Sequence, residues 1–170
     1  MNLDEQPWLN DAEYMSYVGH LLKMPELQKL DKITHHYTST RLQHCLKVSY
    51  VSYTIAKKRG LNAKATARAG LLHDLFYYDW RETKFAKSHA YVHPHIAYRN
   101  ARKLTTLSEL EKDIIIKHMF GATINPPRYK ESWIVTAVDK RVASIEWRDS
   151  VKYKWNARKH FKRLPSFDMN

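Results

Sequence analysis

The chain has 170 residues, a single cysteine, four glycines and a formal charge of +12 from 29 Lys and Arg against 17 Asp and Glu. That length fits one domain of about 100–200 residues, and 44% apolar residues with 12% aromatics exclude disorder for the bulk of it. Cys45 alone cannot form an intramolecular disulfide, so few glycines exclude a turn-dense sandwich or barrel, and no basic leader or apolar run near ~18 residues is present, so a cytoplasmic helical protein with no membrane partner is expected.

Met15, Val18, Leu21 and Leu22 fall at helical spacing behind a cap at Asn10 or Asp11, and Pro25 opens a short second helix carrying Leu27 and Leu30. A third helix, capped by Thr38, Ser39 or Thr40, carries the face His44, Val48, Val51 and Ile55 and stops at Gly60 after Lys57-Lys58-Arg59. A fourth begins at the cap Asn62 and runs through AKATARAGLLHDL, with small residues for close packing and Leu71, Leu72 and Leu75 as anchors; its end presents His73-Asp74. After the loop FYYDWRETKFAKSHAYV, Pro94 in a first turn places His93 at the start of the helix HIAYRNARKL. Ser108 and Glu111 make a capping-box pair for a helix with Leu110, Ile114 and Ile115 that ends near His118, where FGATINPPRY interrupts. The last periodic segment, roughly 131 to 148, directs Ile134, Ala137, Val138, Val142 and Ile145 inward with Asp139 and Lys140 at mid-helix.

Every predicted element is α, so the fold class is all-α, a single-domain helical bundle. Residues 1–36 are expected to supply N-terminal helices packing on the bundle, 37–150 a metal-binding domain, and 151–170 a basic tail or helix of the same domain. No feature of the sequence indicates an oligomeric state.

His44, His73-Asp74, His93, His118 and Asp139 lie on five predicted helices, separated by 29, 19, 25 and 21 residues. Carried by RLQHCLKVSY, AGLLHDL, YVHPHIA, IIIKHMF and TAVDK in that order, the chain resembles the HD-domain superfamily of metal-dependent phosphohydrolases from about residue 41 to 146. The resemblance implies helices surrounding a metal centre, with His44, His73, Asp74 and Asp139 matching the core ligands. His93 and His118 match the extra histidines of subfamilies that hold two ions, and His89 and His95 are alternatives to His93.

Imidazole and carboxylate donors suit one or two divalent transition ions, Fe or Mn ahead of Zn, Ni or Co, whereas Mg²⁺ or Ca²⁺ sites use mainly oxygen. Neighbouring helical residues point about 100° apart, so His73 and Asp74 share a site only over a helix end. Two ions less the charges of Asp74 and Asp139 leave a positive centre that attracts phosphate. The expected activity is hydrolysis of a phosphoester or phosphoanhydride in a small, nucleotide-like substrate by metal-activated hydroxide. Asp74 would bridge the ions and Asp139 would bind one of them and accept a proton. Arg41 and Lys140, with Lys117 behind them, are candidates for the substrate's phosphates, and the alternative for each is a solvated helix face. Cys45 reads as a small buried hydrophobe.

His36, His89 and His95 either line an entrance or are ordinary surface histidines, and Asp79, Trp80 and Arg81 fall in a loop that is either a lid or packing aromatics. No Gly-Tyr-Pro triplet follows the motifs, and Leu75-Phe76 succeeds the doublet where dinucleoside-polyphosphate hydrolases commonly have a small residue and lysine. Neither those substrates nor cyclic-di-GMP is therefore indicated. From Val151 to Arg163 stand six Lys and Arg and no acid, interleaved with Tyr153, Trp155 and Phe161. That tail supports a rival reading as a nucleic-acid-binding module, against which stands an amphipathic helix packed on the bundle. A metal-bearing regulatory protein without turnover is the second rival.

Overall fold

A computed structural model describes residues 5–36, 39–79 and 82–161, with side chains at all of these except 35–36 and 156–161. Thr38, Trp80, Arg81, Lys162 and Arg163, and the side chains of His36, Arg158, Lys159 and Phe161, fall outside that description. Seven α-helices follow in chain order among the described residues: α1 (Ala12–Leu22), α2 (Pro25–Gln28), α3 (Arg41–Lys58), α4 (Ala63–Leu72), α5 (His89–Leu104), α6 (Glu109–Lys117) and α7 (Lys130–Phe161). None of them is long and apolar enough to cross a membrane.

Helix α3 is the hub, packed against both α4 and α7, while α4 also meets α1 and α6, and α5 lies on α6. Its start is fixed twice over. Thr40 Oγ1 accepts from the Gln43 amide at 3.2 Å while Gln43 Oε1 accepts from the Thr40 amide at 3.1 Å, a reciprocal cap that satisfies two helix-end donors. A short antiparallel ribbon, β1 (Thr34–His36) with β2 (Ser39–Thr40), delivers Thr40 to that position. The sequence reading contained only helices; two and three extended residues are too few to leave an alternating pattern. Gly60 ends α3 at φ +63°, a conformation costly for any residue with a Cβ.

The N-terminal helices complete the same core. Trp8, Tyr14, Val18, Leu21, Leu27 and Leu30 are buried with α3 and α4 residues in one cluster. The ring of Tyr14 meets those of Tyr50 and Tyr53 at 5.0 and 5.3 Å, and its hydroxyl donates to Ser49 Oγ at 2.8 Å, which donates in turn to the Ala67 carbonyl at 2.6 Å. The first helix therefore turns Tyr14 inward beside the expected Val18 and Leu21, and its buried hydroxyl is satisfied by a relay into α4.

Two expectations about helix faces and ends need correction. His93 does not open α5: the helix starts one turn earlier at His89, so Pro94 lies inside it. A proline there loses the bond to the carbonyl four residues back and crowds that carbonyl, yet α5 runs through it, so it does not mark the first turn. On α7, Ile134, Val138 and Val142 are buried as expected, but Ala137 and Ile145 face out, and polar residues, among them Thr136, Asp139, Glu146 and Ser150, share the buried face. Apolar periodicity misreads that stretch because polar groups occupy the inward face.

Polar anchors set the remaining helices. Arg68 on α4 donates to Glu111 Oε1 at 2.7 Å and to Thr105 and Thr106 at 3.0 Å each, tying α4 to the turn between α5 and α6. Asp113 on α6 accepts from the Arg128 amide at 2.9 Å and from Ser132 Oγ at 2.8 Å, which ties α6 to the start of α7.

The contact between α3 and α4 is close enough that a methyl group at Gly70 would stand 2.9 Å from Ser49 Cα. Overpacking of a rigid contact typically costs about 1–3 kcal/mol. Gly70→Ala is therefore expected to lower unfolding stability by that amount in urea titration, whereas Gly19→Ala, whose nearest neighbour would be the end of Met15 at 3.6 Å, should raise the midpoint slightly, because alanine is about 0.5–1 kcal/mol better than glycine inside a helix.

Candidate metal centre

Helix geometry carries the six motif residues to one place. His44 sits in the first turn of α3, His73 caps the C-terminus of α4 with Asp74 directly after it, His93 stands one turn into α5, His118 caps the C-terminus of α6, and Asp139 lies in the third turn of α7. All six are buried, from 0% exposure at His73 to 8% at Asp139. The ligand atoms of His44, His73 and Asp139 lie within 4.8 Å of one another, as do those of His73, Asp74 and His118. His73 belongs to both groups.

Individual distances join the halves. His44 Nε2 is 3.1 Å and His73 Nε2 3.5 Å from Asp139 Oδ1. Asp74 Oδ1 is 3.2 Å from His93 Nε2 and 3.6 Å from His118 Nε2, and those two nitrogens are 2.8 Å apart. Donors held at about 2.1 Å from one ion at right angles stand about 3 Å from each other. The observed separations bracket that value.

The other face of each ring is committed. His73 Nδ1 donates to the Gly70 carbonyl at 2.7 Å, His93 Nδ1 to His89 at 2.9 Å and His118 Nδ1 to Ile115 at 2.8 Å. A ring nitrogen that donates to a carbonyl leaves its partner nitrogen as an inward lone pair. Three Nε2 lone pairs are thus aimed into a space walled by two carboxylates. His73 Nε2 and Asp74 Oδ1 are buried without any hydrogen bond, an omission that costs about 1–3 kcal/mol per group unless a cation satisfies it. Nitrogen and carboxylate oxygen donors in this arrangement fit a divalent transition ion.

His44 is held differently. Its Nδ1 donates to Glu146 Oε2 at 2.9 Å while Nε2 faces Asp139. Burial opposes its charge, yet the bonds it donates to Asp139 and Glu146 prevail and raise its pKa to about 10. Asp139 is correspondingly held below the ordinary carboxylate range: burial opposes this, and the bond from His44 together with the nearby His73 ring outweighs it. Asp74 is also held well below its usual value, against burial, by the His73 and His93 rings beside it. Burial, with His93 and His73 beside it, pushes His118 down to about 3 and keeps it neutral. Sequence reading missed Glu146. Its signal was present: seven residues after Asp139 is two helical turns on the same face.

The basic groups expected near phosphate fare unequally. Arg41 is fully buried, its guanidinium 3.7 Å over the Phe76 ring and donating to the Phe76 carbonyl at 2.7 Å and the Tyr78 carbonyl at 3.4 Å. Together with Asn100, which donates to the Leu75 carbonyl at 2.9 Å, it fixes the loop after the doublet. Lys117 is engaged with Asp113 at 3.3 Å and the Pro126 carbonyl at 2.9 Å. Lys140 is exposed beside Asp139 and donates to the Phe120 carbonyl.

Of the alternatives to His93, His89 stacks on the His93 ring at 4.4 Å and meets Tyr78 through Nδ1, while His95 lies against Tyr91. Neither belongs to the two ligand groups, and His93, also outside both, joins the site through Asp74 at 3.2 Å and His118 at 2.8 Å. Tyr78, Phe85 and His89 form an aromatic wall beside the centre, with ring separations of 5.0 and 5.7 Å from Tyr78. Cys45 is fully buried and burial pushes its thiol far up, so it is inert packing.

A family model described as HD domain matches residues 41–144. No curated protein and no solved structure matches the chain. Glu146 lies two residues beyond the matched span.

An outer-shell carboxylate on a ligating histidine typically accounts for about 10–100-fold in metal affinity. Glu146→Ala should weaken Mn²⁺ or Zn²⁺ binding by that factor in chelator competition, and Glu146→Gln, which retains an oxygen for His44 Nδ1–H, should recover most of it.

Proposed function

We propose, from the premise that this chain belongs to the HD-domain family and is a metal-dependent phosphohydrolase, that its centre holds two divalent transition ions, Fe or Mn first, and acts on a small, nucleotide-like phosphoester or phosphoanhydride. The observation that carries the reading is the set of buried Nε2 lone pairs and carboxylate oxygens turned toward one another, two of them without a hydrogen bond. His44, His73 and Asp139 would hold one ion, and Asp74, His93 and His118 the other. Such ions, when bound, supply polarisation of phosphoryl oxygens and activation of water as the nucleophile.

The chain's own residues divide the remaining work. Glu146 orients His44, and the carbonyls of Gly70, His89 and Ile115 orient the other three rings. Asp139 is a ligand in this reading and not a base, since a carboxylate held so far down accepts protons poorly. Lys140 is the exposed cation beside the centre and meets the substrate's phosphate. Arg41 positions the loop from Leu75 to Tyr78 from behind. Support for a nucleotide-like substrate comes from Tyr78, Phe85 and His89, whose rings offer a stacking surface next to the ligands. Residues 37–150 form the metal-binding unit in this reading, with 1–36 and 151–170 as additions to it. A reducing, cytoplasmic setting agrees with the free, buried Cys45.

Elemental analysis followed by phosphate release from a panel of nucleoside mono- and polyphosphates and sugar phosphates tests the reading. About two transition ions per chain are expected, with turnover abolished by chelation and restored by Mn²⁺ or Fe²⁺; activity that survives complete metal removal would overturn it. His73→Ala and Asp74→Ala should lose metal and turnover together, while Cys45→Ser keeps both. His93→Ala should lower occupancy by about one ion, because it removes a donor from a single ligand set.

A further inference from the structure

Helices α3 and α7 run antiparallel. Near one end His44 ties them through Asp139 and Glu146, and at the other the Asn62 amide, just past α3, donates to Glu131 Oε1 at 3.0 Å. Beside the second tie lies a cavity of about 590 Å³. Ile55 and Leu61 wall it on one side, and Ile134 and Val138 on the other. Ala137, which faces out of the bundle, borders this space, and its small side chain keeps it open. Trp133, 46% exposed, forms a flank, its ring meeting that of Phe120 edge-on at 5.1 Å. Concave, mostly apolar spaces of about 300–1,000 Å³ are where proteins take up small molecules.

Charge is confined to one end of the cavity. Arg59 closes α3 and Lys130 opens α7, and both line it. From Lys130 to Val138 the helix rises about 12 Å, so apolar wall extends that far from the cations. Both cations are exposed, and neither has an ion pair among the described residues. Glu131, the adjoining acid, is buried and engaged by the Asn62 amide. The chemistry of the wall selects the ligand. Apart from the two cations and the Trp133 indole N–H, no lining side chain carries a hydrogen-bonding group, so a nucleotide base, a sugar or a polar peptide would bury unpaired polar atoms. An unbranched hydrocarbon tail has none to satisfy, and one carboxylate at its end meets a guanidinium and an ammonium. A second copy of a chain at +12 would bring cations to cations.

We propose that the cavity between α3 and α7 binds a medium-chain fatty acid, its tail along Ile55, Ala137 and Val138 and its carboxylate at Arg59 and Lys130, separate from the metal centre and independent of whether that centre turns over. The measurement is isothermal titration calorimetry of the full chain with hexanoate, octanoate and decanoate, each below its micelle concentration, and with octanol as the uncharged control. Affinity should rise by up to about fourfold per added CH₂, and octanoate should bind about three- to tenfold more tightly than octanol. Arg59→Gln with Lys130→Gln should erase that preference and leave octanol binding as it was. Ala137→Leu, which fills the cavity, should weaken every ligand about tenfold with helicity by circular dichroism unchanged. His73→Ala, directed at the metal centre, should leave decanoate binding unchanged. Absence of decanoate binding, equal affinity for octanol and octanoate, or indifference to Ala137→Leu overturns the proposal. So does decanoate binding that His73→Ala abolishes and Ala137→Leu spares, which would put the carboxylate on the metal. A dimer in sedimentation velocity that Ala137→Leu disperses and decanoate does not would make a second copy the occupant and overturn it as well.

Discussion

Four imidazoles and two carboxylates brought into mutual contact in a desolvated interior are the constraint around which this chain is organised. Packing alone does not favour such a cluster. Burial disfavours each carboxylate, like nitrogens face one another at 2.8 Å, and two polar atoms have no hydrogen bond. The surrounding helices keep the cluster together because each is fixed by something else: the Thr40 cap on α3, the Ser49 and Gly70 contact with α4, the Arg68 and Glu111 link to α6, and Asp113 holding the start of α7. Stability resides in those anchors and in the Leu and Tyr core. The strain they hold in place is the functional part.

The helix ends add a field to that geometry. His73 and His118 cap the C-termini of α4 and α6, where unpaired carbonyls and the helix dipole are negative. A cation between them is favoured by those ends as well as by Asp74 and Asp139. The requirement that adjacent side chains on a helix point apart is met in the same stroke, because Asp74 has already left α4 when it turns toward His93.

Much of this was legible in the residues. Asn62, Ser108 with Glu111, and Gly60 announce the helix boundaries that the structure has, and the ordered histidines and aspartates announce the site, because caps and ligand types are local chemical requirements. Contacts that depend on the assembled bundle were not legible. Arg41 looked like a phosphate ligand one turn before His44, yet the loop after the doublet surrounds it and uses its guanidinium. Glu146 was not singled out although it lies two turns after Asp139, since apolar periodicity places Ile145 inward and does not see that His44 needs an acceptor. Pro94 gave a plausible helix start that tertiary context moved one turn earlier.

Three of the rings are steadied by carbonyls of their own helix: Gly70 for His73, His89 for His93 and Ile115 for His118. Each is a self-contained cassette of four or five residues that carries its own tautomer with it, whereas His44 borrows Glu146 from α7, 102 positions away. Transplanting the centre into an unrelated scaffold would therefore require copying three short peptides verbatim, and then solving one distant pairing afresh.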